Sequence, residues 1–175
     1  MPVIIVGANV RGTPNFLTVV WLSMVNFKPP IIAVVLNKSH YTNAGIHENK
    51  AFSINVPSTG LLEATDFCSV VSGFDHNKSE VFNVFYGILK DAPMIQECPL
   101  TAECKVIKIA EFATHEVFYG EIIATYAEES IITREHPDMA KIKPILYSMY
   151  DNFYWQMGKK IGTAMHVGKR FTPAK

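Results

Sequence analysis

The chain has 175 residues, of which 49% are hydrophobic and 18% are charged, and sixteen Lys and Arg balance sixteen Asp and Glu. This composition is typical of one globular domain spanning residues 1–175 and excludes a largely disordered chain. The sequence has no basic stripe, and its longest apolar run, Ile31–Leu36, is far shorter than the roughly 20 residues of a membrane helix, so we expect neither a nucleic-acid nor a membrane partner.

Strand-like runs dominate the first third of the chain. They are rich in β-branched and aromatic residues, and turn-forming residues such as Gly12 and Pro14 separate them. Phe52, Ile54 and Val56 alternate with polar residues, which is a clear period of two. The predicted strands are Val3–Val6, Asn15–Trp21, Ile31–Leu36 and Ala51–Val56.

Helical spacing is confined to short segments. Thr42–Asn49 is predicted as a helix, with Ser39 or Thr42 as its cap. Leu61–Ser72 is predicted as a second helix that ends at Gly73. The segment Asn152–Met165 also carries its large side chains at roughly helical spacing.

The remaining chain returns to strands after an irregular middle part, Phe74–Pro99. Cys104–Ile109 and Glu116–Ala127 are predicted strands, and Gly120 inside the second indicates a bulge or a close backbone approach. Long helices do not alternate with these strands, and GxGxxG is absent. The pattern therefore favours a closed β-barrel with peripheral helices over a parallel α/β sheet.

The cysteines and the first residues bear on the cellular compartment. Cys68, Cys98 and Cys104 are odd in number and form no CxxC pair, so we interpret them as small buried hydrophobic residues. The first residues lack the basic start and long apolar region of a signal peptide. We therefore expect a cytoplasmic location.

A polar segment between two strands is the main candidate site. Residues 37–46 read NKSHYTNAGI and lead into the short predicted helix. Ser39, Tyr41 and Thr42 supply hydroxyls, Lys38 supplies a positive charge, and the start of a helix supplies free N–H groups. These are the groups that bind a phosphate, and a protonated His40 would add to them. An ordinary solvated turn explains the same residues.

Other kinds of chemistry have less support. The sequence has no GxSxG motif, and Cys68 has no local catalytic signature. The six histidines are dispersed without an HExxH or HxH pair, so no metal motif is visible. Trp21, Tyr41, Tyr154 and Trp155 are candidates for lining a planar-ligand pocket, although core or interface packing is the commoner role of such residues taken singly.

The ordered set of motifs resembles the flavin reductase-like family with the FMN-binding split-barrel fold, in its flavoredoxin branch. The matching segments cover nearly the whole chain. They are PVIIVG, GTPNFLTVVW, FKPPIIAVVLNKSHYTNAGI, AFSINVPS, TDFCSVVSGFDHNKSE, THEVFYGEI and YWQMGKKIG. The resemblance implies a six-stranded antiparallel Greek-key split β-barrel with peripheral helices, and a homodimer that binds FMN near the subunit interface.

The resemblance also assigns cofactor-binding residues. Asn15, Thr18 and Val19 would meet the flavin ring or ribityl chain, largely through backbone groups. The ribityl-phosphate end would be held by Asn37, Lys38, Ser39, His40, Tyr41 and Thr42. A loop at the cofactor's edge would contain Ser72, Gly73, Asp75 and Lys78.

Three features depart from the family pattern. Ser69 stands where the family often has Gly, and Asp75 and Lys78 are separated where the family has adjacent Asp and Lys. The printed chain also begins directly at its first strand, where many relatives carry a leader.

The activity implied by the resemblance is that of a flavin-dependent oxidoreductase. NADH or NADPH would give a hydride to flavin N5, and electrons would pass to free flavin, a metal centre or a redox protein partner. The flavin carries this chemistry itself, so no catalytic dyad is expected. An alternative is an FMN electron carrier between proteins without its own nicotinamide site, and FAD is an alternative ligand to FMN.

Overall fold

The computed structural model describes residues 1–173. The strands are β1 (Ile4–Val10), β2 (Thr13–Val19), β3 (Leu22–Asn26), β4 (Ile31–Asn37), β5 (Ala51–Val56), β6 (Val84–Phe85), β7 (Met94–Ile95), β8 (Leu100–Glu111), β9 (His115–Ala127), β10 (Ile132–Thr133), β11 (His136–Pro137), β12 (Ile145–Ser148) and β13 (Phe153–Gln156). The helices are α1 (Thr42–Asn49), α2 (Leu62–Val70) and α3 (Met139–Ile142), with 3₁₀ turns at Thr59–Leu61, Lys78–Glu80, Glu129–Ile131 and Val167–Arg170.

Seven strands form one antiparallel sheet in the order β2-β1-β5-β8-β9-β4-β3. The two edge strands, β2 and β3, are consecutive in the chain and separated only by Val20 and Trp21. Because the chain itself joins the two edges, the sheet forms a split barrel. The expected mainly β, antiparallel split-barrel fold is confirmed, and the sheet has seven strands where six were expected.

Two hydrophobic clusters lie on opposite faces of β1, as the period of two along a strand requires. Ile4, Val6 and Ala8 contribute to the barrel core, together with side chains of β2, β4, β5, β8 and β9. Ile5 points the other way and packs with Phe16 and Cys68. The second cluster therefore attaches α2 to the outside of the barrel.

Helix α1 packs closely on β1. A Cβ on Gly45 would lie 2.2 Å from the carbonyl oxygen of Asn9, so only glycine allows this approach. The predicted cap of this helix was wrong. The cap position is occupied by Tyr41, which makes no side-chain capping bond. Thr42 is already the first residue of the helix and therefore cannot be its cap.

Gly120 of β9 shows the predicted close approach. A Cβ there would lie 2.5 Å from the Phe52 ring, inside the barrel core. The register between β8 and β9 shifts twice, and the extra residue is Ile123 of β9 at the first shift and Ile107 of β8 at the second. Gly120 is itself paired with Val106, so this glycine marks tight packing, and neither bulge is at the glycine.

The roughly helical spacing of large side chains in Asn152–Met165 does not correspond to a helix. Residues 153–156 form β13, which pairs with β12, and residues 157–163, which include Gly158 and Gly162, have no regular secondary structure. Aromatic residues favour a strand at Phe153–Gln156, and glycine disfavours helix beyond it.

The cysteines behave as predicted. Cys68, Cys98 and Cys104 are buried and unpaired, and burial raises the pKa of Cys68 to about 11 and that of Cys104 to about 12. Among residues 1–173, none of the helices has the length and apolar character to cross a bilayer.

Candidate functional site

The segment after β4 forms a tight turn around the side chain of Asn37. The Asn37 Oδ1 accepts hydrogen bonds from the Ser39 backbone N–H at 3.0 Å and the Ser39 hydroxyl at 2.9 Å. The Asn37 carbonyl accepts a bond from the His40 N–H at 3.1 Å. Asn37 therefore holds the turn in shape, as an asparagine commonly does two residues before a backbone donor.

The turn leads directly into α1, whose first backbone N–H groups are free to donate hydrogen bonds. Within the described chain, no hydrogen bond is donated by the backbone N–H of Tyr41 or of Thr42. The first N–H groups of a helix have no partner inside the helix, and they favour an anion. The segment thus has the donors expected of a phosphate-binding turn.

Thr42 connects this turn to β2. Its side chain is buried, and its Oγ1 accepts a hydrogen bond from the Asn15 Nδ2 at 2.7 Å. The hydroxyl proton of Thr42 remains available for donation, because the bond uses an oxygen lone pair. Asn15 and Thr42, 27 positions apart in the sequence, are therefore direct neighbours.

The loop after α2 lies against Asn15 and Tyr41. A Cβ on Gly73 would lie 2.4 Å from the Asn15 Oδ1 and 2.5 Å from the Tyr41 ring. The next residue, Phe74, packs its ring edge-on to Tyr41 at 4.7 Å. The Ser72 hydroxyl accepts the Phe74 N–H at 3.2 Å and fixes this loop.

Lys78 is a buried cation beside these residues. Its side chain is 2% exposed, and its Nζ donates to the carbonyl oxygens of Phe16 at 3.0 Å and Cys68 at 2.9 Å. Burial lowers the pKa of Lys78, and a Cys68 thiolate would oppose that effect. Since burial raises the Cys68 pKa to about 11, the thiol is neutral at pH 7 and supplies no negative charge to Lys78.

Three adjoining cavities surround Tyr41. The turn cavity, of about 220 Å³, is lined by Leu17, Ser39, His40, Tyr41, Thr42, Ser69, Val70, Val71, Ser72, Gly73 and Lys78. The loop cavity, of about 420 Å³, is lined by Val10, Arg11, Thr13, Pro14, Asn15, Tyr41 and residues 73–78. The outer cavity, of about 530 Å³, is lined by Val10, Arg11, Lys38, Ser39, His40, Tyr41, Asn43, Ala44, His47, Glu48, Phe74, Glu111 and Glu116.

Most of the predicted site residues meet at these cavities. Residues 38–42 line the turn and outer cavities, and Ser72, Gly73 and Lys78 join them from the far side of the turn cavity. Asp75 lies on the exposed rim of the loop cavity. The structure therefore brings together two sequence segments that are about thirty residues apart.

Thr18 and Val19 do not line the cavities. Val19 lies in the barrel core, and the Thr18 hydroxyl donates to the Thr65 carbonyl of α2. Only their backbone groups remain for a ligand on β2. Lys38 is exposed and forms an ion pair with Glu111, with Nζ and Oε2 3.1 Å apart. An exposed pair of this kind is weak, so Lys38 can turn to another anion.

Sequence reasoning missed several residues of the site. Phe74 covers Tyr41, and Arg11 lies at the mouth of two cavities in a left-handed conformation with φ of 52°. Asn43 donates to Glu116 at 2.9 Å, and His47 lies 2.8 Å from the same carboxylate. Phe74 directly follows the Ser-Gly signal, which was the one available clue.

Two polar atoms at the site have no partner in the described structure, namely His40 Nδ1 and Asn43 Oδ1. Burial lowers the pKa of His40, and the charges of Lys78 and His115 lower it further. His40 therefore favours the neutral form at pH 7, in which it offers a hydrogen-bonding group rather than a positive charge.

The His40 environment predicts a pH-dependent stability. Its pKa is lowered in the folded state, so its contribution to the free energy of unfolding is complete above the ordinary value of 6.5 and is lost as the pH falls through the folded value. Urea unfolding at a series of pH values should show a smaller loss of stability on acidification for His40→Asn than for the parent chain. The exposed His136→Asn is the control, and parallel curves for all three proteins would contradict the assignment.

Gly73 offers a second local test. In Gly73→Ala, the new Cβ forces Asn15 or Tyr41 to move, which disrupts the Asn15–Thr42 hydrogen bond. We expect a loss of about 1–3 kcal/mol in the free energy of unfolding, the usual result of overpacking, measured by urea denaturation. Gly158→Ala is the control, because no atom lies within 4 Å of its added Cβ. Equal stability of the two variants would be inconsistent with the contact.

The site fits a phosphorylated ligand. Free N–H groups at Tyr41 and Thr42, the hydroxyls of Ser39 and Thr42, and the cation Lys38 cluster at one end. Hydroxyls, amides and a cation are the donors that a phosphate dianion requires. Gly73 packs so closely on Asn15 and Tyr41 that a larger residue there would displace these two side chains of the site.

Comparison with known proteins agrees with this geometry. The sequence profile of the flavin reductase like domain matches residues 1–152. The flavoredoxin from Methanosarcina acetivorans is 49% identical with a TM-score of 0.95, and the match covers 97% of this chain and 91% of that one. The flavoredoxin of Desulfovibrio vulgaris (Miyazaki F) is 30% identical with a TM-score of 0.88, and covers 95% and 92%.

One of the matching relatives is named for an enzymatic activity. The ferric-chelate reductase (NAD(P)H) of Archaeoglobus fulgidus is 31% identical over 102 residues, which is 55% of this chain and 57% of that protein. The chain spans about half to two thirds of the length of the curated relatives that it matches. The profile match covers most of the chain, and the fold and the ordered motifs agree with it. The chain belongs to the flavin reductase-like family.

Proposed function

We propose that the chain is a flavoprotein oxidoreductase that binds FMN, forms a single domain over residues 1–175, and acts as a cytoplasmic homodimer. Family membership and the flavoredoxin-like fold support a flavin-binding redox function. The observation that carries the proposal is the shared turn cavity, where residues 39–42 and 72–73 meet Lys78.

The phosphate end of FMN is assigned to the turn after β4. The N–H groups of Tyr41 and Thr42 and the Ser39 hydroxyl face a dianion there, with Lys38 released from Glu111 as the nearby cation. Each hydrogen bond to a charged group contributes about 1.5–3 kcal/mol. His40, being neutral, contributes a hydrogen bond at most.

The ring end is assigned to β2 and the loop after α2. Backbone groups from Asn15 to Val19 and the Ser72–Gly73 segment border this region, and Asp75 lies at its rim. Bound FMN would supply the redox chemistry by accepting a hydride at N5. The chain positions the ring, and the Lys78 ammonium places positive charge near it.

We favour an NAD(P)H-dependent reductase, with NADH or NADPH as donor and free flavin, a metal centre or a redox protein as acceptor. The name of the archaeal relative supports this reading. The second candidate is an FMN electron carrier between proteins. The resemblance to two flavoredoxins and the absence of a dinucleotide motif in the sequence favour that candidate.

The cofactor is tested by purification. The protein should be yellow, and denaturation should release FMN rather than FAD, identified by chromatography and mass. Protein that is colourless should regain the flavin spectrum when FMN is added. Failure of the purified chain both to carry and to bind FMN would overturn the proposal.

The donor is tested by rapid mixing. Flavin absorbance should bleach quickly when anaerobic holoprotein meets NADH or NADPH. Bleaching only by a reduced redox protein, with neither nicotinamide effective, would replace the reductase by the electron carrier. The two outcomes share the same cofactor, so this test is independent of the first.

A further inference from the structure

Residues 157–173, which we call the arm, leave the barrel after β13. Met157 is half-buried and every other residue of the arm is exposed, including Ile161 at 96%, Met165 at 90% and Phe171 at 76%. Within the described chain, the hydrogen bonds of residues 163–171 join residues of the arm to one another. The arm therefore leaves large apolar side chains uncovered by its own barrel.

The beginning of the arm touches the barrel loosely. Residues 157–161 face residues 133–134 and 136–140 across an open groove of about 920 Å³. Exposed apolar side chains that recur along one segment mark an interaction surface. We therefore expect the arm to bind a surface that is not on its own barrel.

Charge indicates what that partner surface is. The arm contains Lys159, Lys160, Lys169 and Arg170 and no Asp or Glu, whereas residues 1–156 contain eleven Lys and Arg against sixteen Asp and Glu. The arm is thus positive and the barrel negative. Each copy of the chain therefore has one positive arm and one negative barrel.

The arm is long enough to reach a neighbour. Its seventeen residues span at most about 56 Å when extended, at roughly 3.3 Å per residue. A domain of this size has a radius of gyration of about 15 Å. An arm that leaves one barrel can therefore lie across the surface of an adjacent one.

We propose that the arm binds the negatively charged barrel of a second copy, so that two chains exchange arms about a two-fold axis. Reciprocal exchange covers the apolar side chains of both arms and neutralises both barrels. The inference rests on the homodimer included in the proposed function, and it is independent of the flavin. The arm lies outside residues 1–152, the part that the family profile matches.

Charge reversal tests the electrostatic part. The dissociation constant of the dimer, measured by analytical ultracentrifugation, should rise at least tenfold in Lys169→Glu/Arg170→Glu and should rise with salt in the parent chain. Lys28→Glu/Lys90→Glu, which reverses two exposed cations of the barrel, should leave it unchanged or lower it. A dimer unaffected by the arm variant would overturn the exchange and leave the homodimer standing, whereas a monomeric parent chain would overturn both.

Isotope-coded crosslinking tests the geometry. Chains with a photo-reactive residue in place of Met165 are mixed with ¹⁵N-labelled parent chains, refolded together and irradiated. Crosslinks should join an unlabelled arm to a labelled barrel. Crosslinks confined to single chains would overturn the proposal. It would also be overturned if the arm gave no crosslinks and the full chain adsorbed to phosphatidylserine vesicles, since the partner of the arm would then be a membrane surface.

Discussion

Replacing both Ser39 and Thr42 with alanine is expected to weaken FMN binding by about 3–6 kcal/mol, which is roughly a hundredfold to ten-thousandfold in the dissociation constant. Each hydroxyl lies on the turn cavity. Each would donate one hydrogen bond to the phosphate dianion, Ser39 by turning its hydroxyl away from the Asn37 Oδ1. Fluorescence titration of the apoprotein with FMN measures the effect. Titration with riboflavin, which lacks the phosphate, should show a much smaller difference between variant and parent.

The control for this variant is Ser130→Ala/Thr133→Ala, which removes two hydroxyls that line none of the three cavities around Tyr41. Thr42→Ala alone also leaves the Asn15 Nδ2 without its acceptor, so urea unfolding of the single variants separates stability from binding. We expect the barrel to remain folded. An FMN titration identical to that of the parent chain would contradict the assignment of the phosphate site.

The strands could be predicted where burial alternates strictly or is complete. Ala51–Val56 was predicted with its observed bounds, and Ile31–Leu36 is one residue shorter than β4. The break that separates β2 from β3 was not predicted, because it arises where the chain passes from one sheet edge to the other. Such a bend depends on closure of the barrel and has no local signal.

The candidate site was predictable as a turn but not as a cavity. Hydroxyl and cationic residues next to a short helix indicated the segment 38–42 directly. The positions of Gly73 and Phe74 against Tyr41 depend on how α2 packs on β2, which only the folded chain determines. For the same reason the helix cap was assigned to Ser39 or Thr42, although Thr42 bonds to Asn15.

Lys78 shows most clearly what the sequence leaves open. A lysine in a polar stretch, DHNKSE, is typical of an exposed loop, and the resemblance placed it at the edge of the cofactor. The structure buries its ammonium between the middle of β2 and the last turn of α2, where two backbone carbonyls accept its hydrogen bonds. Burial of a lysine without a carboxylate partner is rare, because desolvation of the charge is costly.

Lys78→Met is expected to lower both the stability of the fold and the reduction potential of bound FMN. The carbonyls of Phe16 and Cys68 lose their donor, which lowers the free energy of unfolding by about 1–3 kcal/mol. The reduced flavin carries more negative charge than the oxidised flavin, and a nearby cation stabilises it. Removal of the ammonium should therefore shift the potential to a more negative value, measured by anaerobic titration of the absorbance.

Lys38→Met is the matched control, because it makes the same replacement at an exposed lysine that forms an ion pair with Glu111. Water and Glu111 already screen that charge, so its removal should weaken FMN binding with a much smaller change in potential. Compared with Lys78→Met, Lys78→Arg should have a reduction potential closer to that of the parent chain if the positive charge sets the potential. It should also recover part of the lost stability if the hydrogen bonds to the two carbonyls stabilise the fold. Equal potentials for Lys78→Met and the parent chain would show that Lys78 supports the loop without influencing the flavin.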